Sequence, residues 1–118
     1  MKRLVLAALA LLLQPAAFAA DPTAPTGSVQ RGKDLYMKHA CFSCHGTVGQ
    51  GGDRGAGPRI APDPFPWAAY EIQMRTPRSN MPRYPEQFVS QQELADIYAY
   101  IASIPAGPKA DTLPLPKR

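Results

Sequence analysis

The sequence predicts a small all-α protein, with three to five helices joined by Gly- and Pro-rich loops. Three stretches place apolar residues at helical spacing, and no alternating or β-branched run indicates a strand. The 118 residues include 14 prolines and 9 glycines, which favours long irregular connections between the helices. We therefore expect one domain with a modest hydrophobic core.

The first predicted helix follows Ser28, a residue type that favours the N-cap, and ends around residues 39–41. Its apolar face consists of Val29, Gly32, Leu35 and Tyr36. Glycine inside a helix lowers helix stability relative to alanine, so Gly32 indicates a close contact with another part of the chain.

The second predicted helix begins after Asp63-Pro64-Phe65-Pro66 and runs to about Arg75, before Thr76-Pro77 stops it. Its expected inner side carries Trp67, Tyr70 and Met74. Residues 76–89 then form another irregular, proline-containing stretch.

The last predicted helix has the strongest local signals. Ser90 and Glu93 are spaced as a capping box, and Val89 and Leu94 as a hydrophobic staple. Pro105 ends the helix. Its apolar face follows the i, i+3, i+4, i+7 pattern through Leu94, Ile97, Tyr98 and Ile101.

The first residues are typical of a cleavable secretory signal. Lys2 and Arg3 precede an apolar run over residues 4–13, and small residues around Ala19 fit a cleavage site. Ten apolar residues are short for a membrane span, although an uncleaved anchor is the alternative. The sequence predicts a signal peptide over 1–19, export to the periplasm, and no stable membrane insertion after cleavage.

Beyond the signal we expect a flexible leader over 20–27, a domain over 28–104 and an extended tail over 105–118. Removing residues 1–19 lowers the formal net charge from +4 to +2. That small excess is no indication of nucleic-acid binding. Five arginines lie between positions 54 and 83 and form either a docking face or ordinary solvated surface: Arg54, Arg59, Arg75, Arg78 and Arg83.

Cys41-Phe42-Ser43-Cys44-His45 has the Cys-x-x-Cys-His spacing of a c-type haem attachment site. One helical turn separates the two sulfurs, so each can form a thioether with a different vinyl group. The same spacing also occurs in disulfide oxidoreductases and in half of a zinc site. A structural zinc site needs four ligands, for which this chain offers barely enough, and no strand precedes Cys41 as in a thioredoxin-like protein.

The chain over roughly residues 28–104 resembles class I cytochromes c. Besides the motif, Gly57-Pro58 follows a glycine-rich loop, and Asn80-Met81-Pro82 is similar to the ligand loop of that family. Gly32 and Tyr36 in the first helix, with Ile97 and Tyr100 in the last, are similar to its crossing-helix contact. The resemblance implies a small cytochrome c-like fold around one haem c, attached through Cys41 and Cys44.

The resemblance further implies that His45 and Met81 are the two axial ligands of the iron. A thioether ligand favours ferrous iron and raises the reduction potential. Met37 precedes the motif by about one turn and is expected to pack in the helix. Met74 is the alternative ligand, with core packing as its other interpretation.

Other residues are expected to support the ligands. By resemblance, the Pro58 carbonyl accepts a hydrogen bond from His45 Nδ1. Arg59, Trp67 and Tyr70 either donate to the haem propionates or serve ordinary packing and surface roles. Asn80 either donates to the Met81 sulfur or shapes the turn, and His39 is expected to be a plain helix-end residue.

The resemblance implies a periplasmic one-electron carrier that transforms no substrate, either a free shuttle or a cytochrome subunit of a dehydrogenase. Its expected partners are a periplasmic dehydrogenase and a downstream oxidase or cytochrome. Two alternatives remain: a haem enzyme or gas-binding haem protein with an open sixth site, and a redox-thiol or interaction protein without haem.

Overall fold

The computed structural model describes residues 23–52 and 56–114, which contain four α-helices and no strand. This confirms the all-α fold. In chain order the helices are α1 (Val29–Lys38), α2 (Phe42–His45), α3 (Trp67–Arg75) and α4 (Gln91–Ser103), and a short 3-10 turn over Ala110–Thr112 follows.

The predicted signal peptide and the position of Arg54 lie outside the described residues. Within the described ranges, no helix combines the length and apolar character that crossing a membrane requires. The described part of the tail after α4 contains the 3-10 turn, which the sequence did not predict.

The caps of α1 and α4 form as the sequence predicts. Ser28 Oγ accepts a hydrogen bond from the Arg31 amide at 3.3 Å. Ser90 Oγ accepts from the Glu93 amide at 3.2 Å, while the Glu93 carboxylate accepts from the Ser90 amide at 2.8 Å. These reciprocal bonds form the predicted capping box. The Ser90 amide also holds the pKa of Glu93 below its ordinary value.

A tight turn at the end of α1 leads directly into the cysteine motif. The Ala40 amide donates to the Met37 carbonyl and the Cys41 amide to the Tyr36 carbonyl, each at 3.1 Å. Ala40 itself has φ 56°, the left-handed conformation in which helices commonly end. The cysteine motif therefore begins in a fixed orientation relative to α1.

Helices α1 and α4 pack against each other through the residues that the sequence predicts. A Cβ atom on Gly32 would lie 1.8 Å from the Asp96 carbonyl oxygen and 3.0 Å from Tyr100 Cβ. The rings of Tyr36 and Tyr100 meet edge to face, with centroids 5.4 Å apart. The absence of a side chain at Gly32 thus permits the helices to approach closely.

The segment before α1, within the predicted leader, lies against α4. Ala24 packs against the core, and a Cβ on Gly27 would lie 2.2 Å from the Ala95 carbonyl oxygen. The Gln92 side chain also donates to the Thr26 carbonyl at 2.9 Å. Contacts with α4, which local sequence does not reveal, hold residues 24–27 against the domain.

Helix α3 joins this pair through aromatic rings. The ring of Tyr98 in α4 lies 5.4 Å from that of Trp67 and 5.0 Å from that of Tyr70, centroid to centroid. All three side chains are buried. The three longer helices thereby share one core, against which the cysteine motif and its following loop are placed.

Candidate cofactor site

One cavity of about 900 Å³ lies between the cysteine motif and the rest of the fold. Its volume falls within the range of about 300–1,000 Å³ that is typical of small-molecule and cofactor sites. The end of α1, the motif, residues 56–65, α3, residues 78–84 and α4 all contribute to its wall. Cys41, Cys44, His45 and Met81 are all among the lining residues.

The two cysteines lie on the one-turn helix α2, with Cys41 at its N-cap. Both are partly buried free thiols. Burial raises the pKa of the Cys41 thiol to about 11. A thiol that is protonated at neutral pH lacks the low pKa of a nucleophilic disulfide oxidoreductase. This observation counts against the redox-thiol alternative.

His45 has a ring orientation suited to metal binding. Its Nδ1 lies 2.8 Å from the carbonyl oxygen of Pro58. A carbonyl can only accept, so Nδ1 carries a hydrogen, and in the neutral ring Nε2 then has a lone pair. Neutral imidazole in this tautomer is a common metal ligand, and such a carbonyl partner orients its ring.

Glycines beside the motif allow the backbone to approach it closely. A Cβ on Gly57 would lie 2.6 Å from the Cys44 carbonyl oxygen and 3.1 Å from His45 Cε1. A Cβ on Gly52 would lie 2.1 Å from the same Cys44 oxygen. Any larger residue at these positions would displace the loop that carries Pro58.

Two tyrosines from the α1–α4 contact secure the chain that follows the motif. The Tyr36 hydroxyl donates to the Gly46 carbonyl at 2.7 Å, and the Tyr100 hydroxyl donates to the Thr47 carbonyl at 2.9 Å. The helix crossing and the position of His45 are therefore coupled through these two hydrogen bonds.

The three methionines beyond the signal occupy different environments. Met37 is exposed and does not line the cavity, whereas Met74 and Met81 both line it. Met74 belongs to the buried core. Met81 is only partly buried, and its sulfur accepts a hydrogen bond from Gln73 Nε2 at 3.4 Å. The sequence left two roles open for Asn80, and among the described hydrogen bonds the donor to the Met81 sulfur is Gln73.

The loop that carries Met81 is attached to the end of α3. The Tyr84 amide donates to the Met74 carbonyl at 3.0 Å. Arg75 Nη1 donates to the carbonyls of Tyr84 at 2.8 Å and Val89 at 2.6 Å, and Arg83 Nε donates to the Arg75 carbonyl at 2.8 Å. Arg75 and Arg83 therefore stabilise the fold. Fewer of the five arginines are then left as candidates for a docking face.

The three residues predicted to support the cofactor have different surroundings. Arg59 is exposed and lines the cavity. Tyr70 also lines it, but its hydroxyl is directed to the Leu94 carbonyl, 3.5 Å away. The structure does not place Trp67 on the cavity wall, because its ring packs in the core against Tyr70 and Tyr98.

His39 is the C-cap residue of α1, as the sequence predicts, and it also faces the cavity. It lines the cavity, its ring meets Tyr84 edge to face at 6.1 Å, and its buried Nε2 has no hydrogen-bond partner in the described part of the chain. Buried polar atoms are normally paired, so this nitrogen fits a cavity that takes a further group.

Over the described ranges, no cluster of three or more His, Cys, Asp or Glu side chains has the arrangement of a metal site. The zinc alternative would need such a cluster. A metal bound here instead needs ligands that are fewer or softer, such as one imidazole and one thioether. Taken together, the fold, the motif and the cavity define the class of small c-type cytochrome domains.

Comparison with known proteins agrees with this class. Residues 27–101 match the family described as Cytochrome C oxidase, cbb3-type, subunit III, and the chain belongs to that family of c-type cytochromes. The family's cofactor is haem c. Membership of this family indicates a role in electron transfer.

Two relatives are cytochrome bc1 complex cytochrome c subunits. The protein from Corynebacterium diphtheriae is 40% identical over 77 residues, which cover 64% of this chain and 27% of the relative. The protein from Corynebacterium efficiens is 39% identical over 77 residues, covering 64% of this chain and 25% of the relative. The chain thus corresponds to about a quarter of the length of these relatives.

Proposed function

We propose that this chain is an exported one-electron carrier that holds a single haem c. Cys41 and Cys44 would attach the haem through thioethers, and His45 and Met81 would be the axial ligands. The observation that carries the proposal is the 2.8 Å contact between His45 Nδ1 and the Pro58 carbonyl, at the wall of a cavity that Met81 also lines. When bound, the haem supplies an iron that alternates between the ferric and ferrous states.

The residues of the chain prepare the site for that cofactor. Pro58 orients the imidazole and leaves His45 Nε2 free to bind. Met81 offers a soft sulfur donor that favours the ferrous state. We propose that Arg59, which is exposed at the cavity, binds a haem propionate. Met74 of α3 and two isoleucines of α4, Ile97 and Ile101, complete the wall.

For its partners we favour a respiratory complex. The relatives' names connect similar sequences with the cytochrome bc1 complex, and the family's description connects it with a cytochrome oxidase. Both support electron exchange with respiratory enzymes, either as a subunit or as a shuttle. A periplasmic dehydrogenase, the partner class expected from sequence, remains part of the proposal.

Mass spectrometry and optical spectroscopy test the cofactor and its ligands. After expression with a haem attachment system, we expect the mass of one haem, and Cys41→Ala and Cys44→Ala should each reduce attachment. The intact protein should show a low-spin spectrum with a far-red iron–sulfur band. Met81→Ala should abolish that band, whereas Met37→Ala, which changes an exposed methionine outside the cavity, should retain it.

Three outcomes would contradict the proposal. A protein without added haem mass would remove it altogether. A high-spin spectrum that changes readily with carbon monoxide would favour the open-site alternative. Loss of the band in Met74→Leu but not in Met81→Ala would make Met74 the ligand.

Export and partner choice need separate measurements. N-terminal sequencing of the periplasmic protein should begin near Ala20 or Asp21, and a chain that retains residues 1–19 would contradict cleavage. Stopped-flow electron transfer with isolated bc1 complex, oxidase and dehydrogenase then identifies the partner. Failure with all three would contradict the respiratory assignment and leave haem binding intact.

A further inference from the structure

Gln73 lies on α3 at the wall of the cavity, and its side chain connects two residues of the Met81 loop. Its amide Nε2 donates to Met81 Sδ at 3.4 Å. Its amide oxygen, Oε1, accepts from Arg78 Nε at 3.4 Å. The three side chains therefore form a short series of hydrogen bonds, Arg78 to Gln73 to Met81.

Arg78 determines which end of the Gln73 amide faces the sulfur. A guanidinium has only donors, so the amide end beside Arg78 must be the oxygen. The NH₂ end is then directed at Met81, where the thioether sulfur can act only as an acceptor. Both neighbours thus favour the same orientation of an otherwise ambiguous amide.

The backbone brings Arg78 and Met81 to the same side chain. Between them Ser79 adopts φ 59°, a left-handed conformation that turns the chain sharply. Arg78 is exposed while Met81 is partly buried, so Gln73 connects a surface cation with a cavity-lining sulfur. Gln73 is itself half-buried, which limits the alternative positions of its amide.

We propose that Gln73 is a positioning residue for Met81, and that Arg78 holds the Gln73 amide in its donating orientation. The inference rests on the proposed function, in which Met81 is an axial ligand. A hydrogen bond to the sulfur withdraws electron density from it, so the sulfur stabilises an oxidised metal less than a reduced one. The Gln73 amide therefore raises the reduction potential and restricts the position of the sulfur.

Gln73→Leu in the haem-loaded, full-length protein tests the first part. It keeps a side chain of similar size but removes the donor. Redox titration should show a lower potential, with the reduction equilibrium changed about two- to fivefold, as for a weak hydrogen bond. For a one-electron couple this corresponds to about 20–40 mV. An unchanged potential together with an unchanged far-red band would overturn the role of Gln73.

Gln73→Glu strengthens the test because it keeps the shape while replacing the donor by a carboxylate. We expect a larger fall in potential than for Gln73→Leu, since a negative charge near the site favours the oxidised state. A potential equal to or above that of the wild type would overturn the proposal.

The role of Arg78 is tested with a matched pair, Arg78→Leu and Arg83→Leu. Each removes an exposed arginine near the Met81 loop, but only Arg78 contacts Gln73; Arg83 donates to the Arg75 carbonyl. We expect the larger potential shift in Arg78→Leu, and less than additive shifts when it is combined with Gln73→Leu. Equal shifts in the two arginine variants, or full additivity, would reduce Arg78 to a general charge effect and overturn its role.

Met81→Ala separates this inference from the proposed function. If Met81→Ala leaves the far-red band intact, the ligand assignment itself fails. If that variant loses the band while Gln73→Leu retains the wild-type band and potential, only the positioning role fails.

Discussion

Gly32 in α1 lies directly against the backbone of Asp96 in α4, so closely that a Cβ atom on Gly32 would be 1.8 Å from the Asp96 carbonyl oxygen. The contact is between a glycine and rigid helix backbone, which no side-chain rotation can relieve. The same two helices carry Tyr36 and Tyr100, whose hydroxyls hold the chain after the haem motif. The contact between the two helices therefore affects the position of the cavity wall as well as the stability of the fold.

We expect Gly32→Ala to separate α1 from α4 and to lower the free energy of unfolding by about 3 kcal/mol, at the upper end of the cost of overpacking. Chemical denaturation of the haem-loaded protein measures this loss. Gly107→Ala is the matched control, because a Cβ there meets nothing within 4 Å. Equal stabilities of the two variants would contradict the close crossing.

Asp96 gives the fold a predictable response to acid. Its carboxylate is fully buried on the α1 side of α4 and accepts from Arg31 Nε at 2.5 Å and the Ser28 amide at 2.7 Å. Burial opposes the charge, but these bonds and one from Gln92 outweigh it, so the pKa of Asp96 lies below its ordinary value of 3.8.

A lowered folded-state pKa means that the unfolded chain takes up the proton first as the pH falls. The stability that Asp96 contributes is thus present above about pH 4 and is lost as the pH falls through the folded-state pKa. Unfolding curves measured from about pH 6 down to pH 3 should show this loss. The Asp96→Asn variant should be less stable at neutral pH, and its free energy of unfolding should change less over this pH range. A pH dependence equal to that of the wild type would contradict the role of Asp96.

Gly57 allows the Pro58 carbonyl to reach His45. A Cβ at Gly57 would collide with the Cys44 carbonyl oxygen, so we expect Gly57→Ala to displace the loop and weaken the hydrogen bond to the imidazole. Loss of such a partner lowers metal affinity by about 10–100-fold in related situations. Haem content and the acid concentration that releases His45 measure the effect, and Gly107→Ala again serves as the control.

Arg75 connects α3 to the loop that carries Met81, through the carbonyls of Tyr84 and Val89. We expect Arg75→Leu to lower the free energy of unfolding by about 2 kcal/mol, because hydrogen bonds from a charged donor are lost. The far-red band should weaken while covalent haem content stays unchanged. Arg75→Lys should be intermediate, since one ammonium group cannot reproduce the planar fork. A wild-type band in Arg75→Leu would show that the loop does not depend on this arginine.

Local features of the sequence were sufficient for most of the secondary structure. The Ser90–Glu93 capping box and the periodic apolar face of α4 involve residues a few positions apart, so neighbouring residues decide them. The Cys-x-x-Cys-His motif is equally local, and its one-turn helix follows from that spacing. A close contact at Gly32 was also predicted, because glycine is an unfavourable choice inside a helix unless another chain segment must approach it; that the partner is the last helix was implied by the resemblance to class I cytochromes c.

Only the tertiary structure revealed the interactions that join distant parts of the chain. The bond from Ser28 to the buried Asp96, the hydrogen bonds of Arg75 across the Met81 loop, and the placement of His39 and Gln73 at the cavity all depend on how the helices pack. Sequence spacing gives polar side chains no direction in space, which is why the sequence left Asn80 with two alternative roles and did not indicate Gln73 as the donor to the Met81 sulfur. Neighbouring residues specify the helices and the haem motif. Packing selects the side chains that surround them, because only the folded backbone sets the distances between those groups.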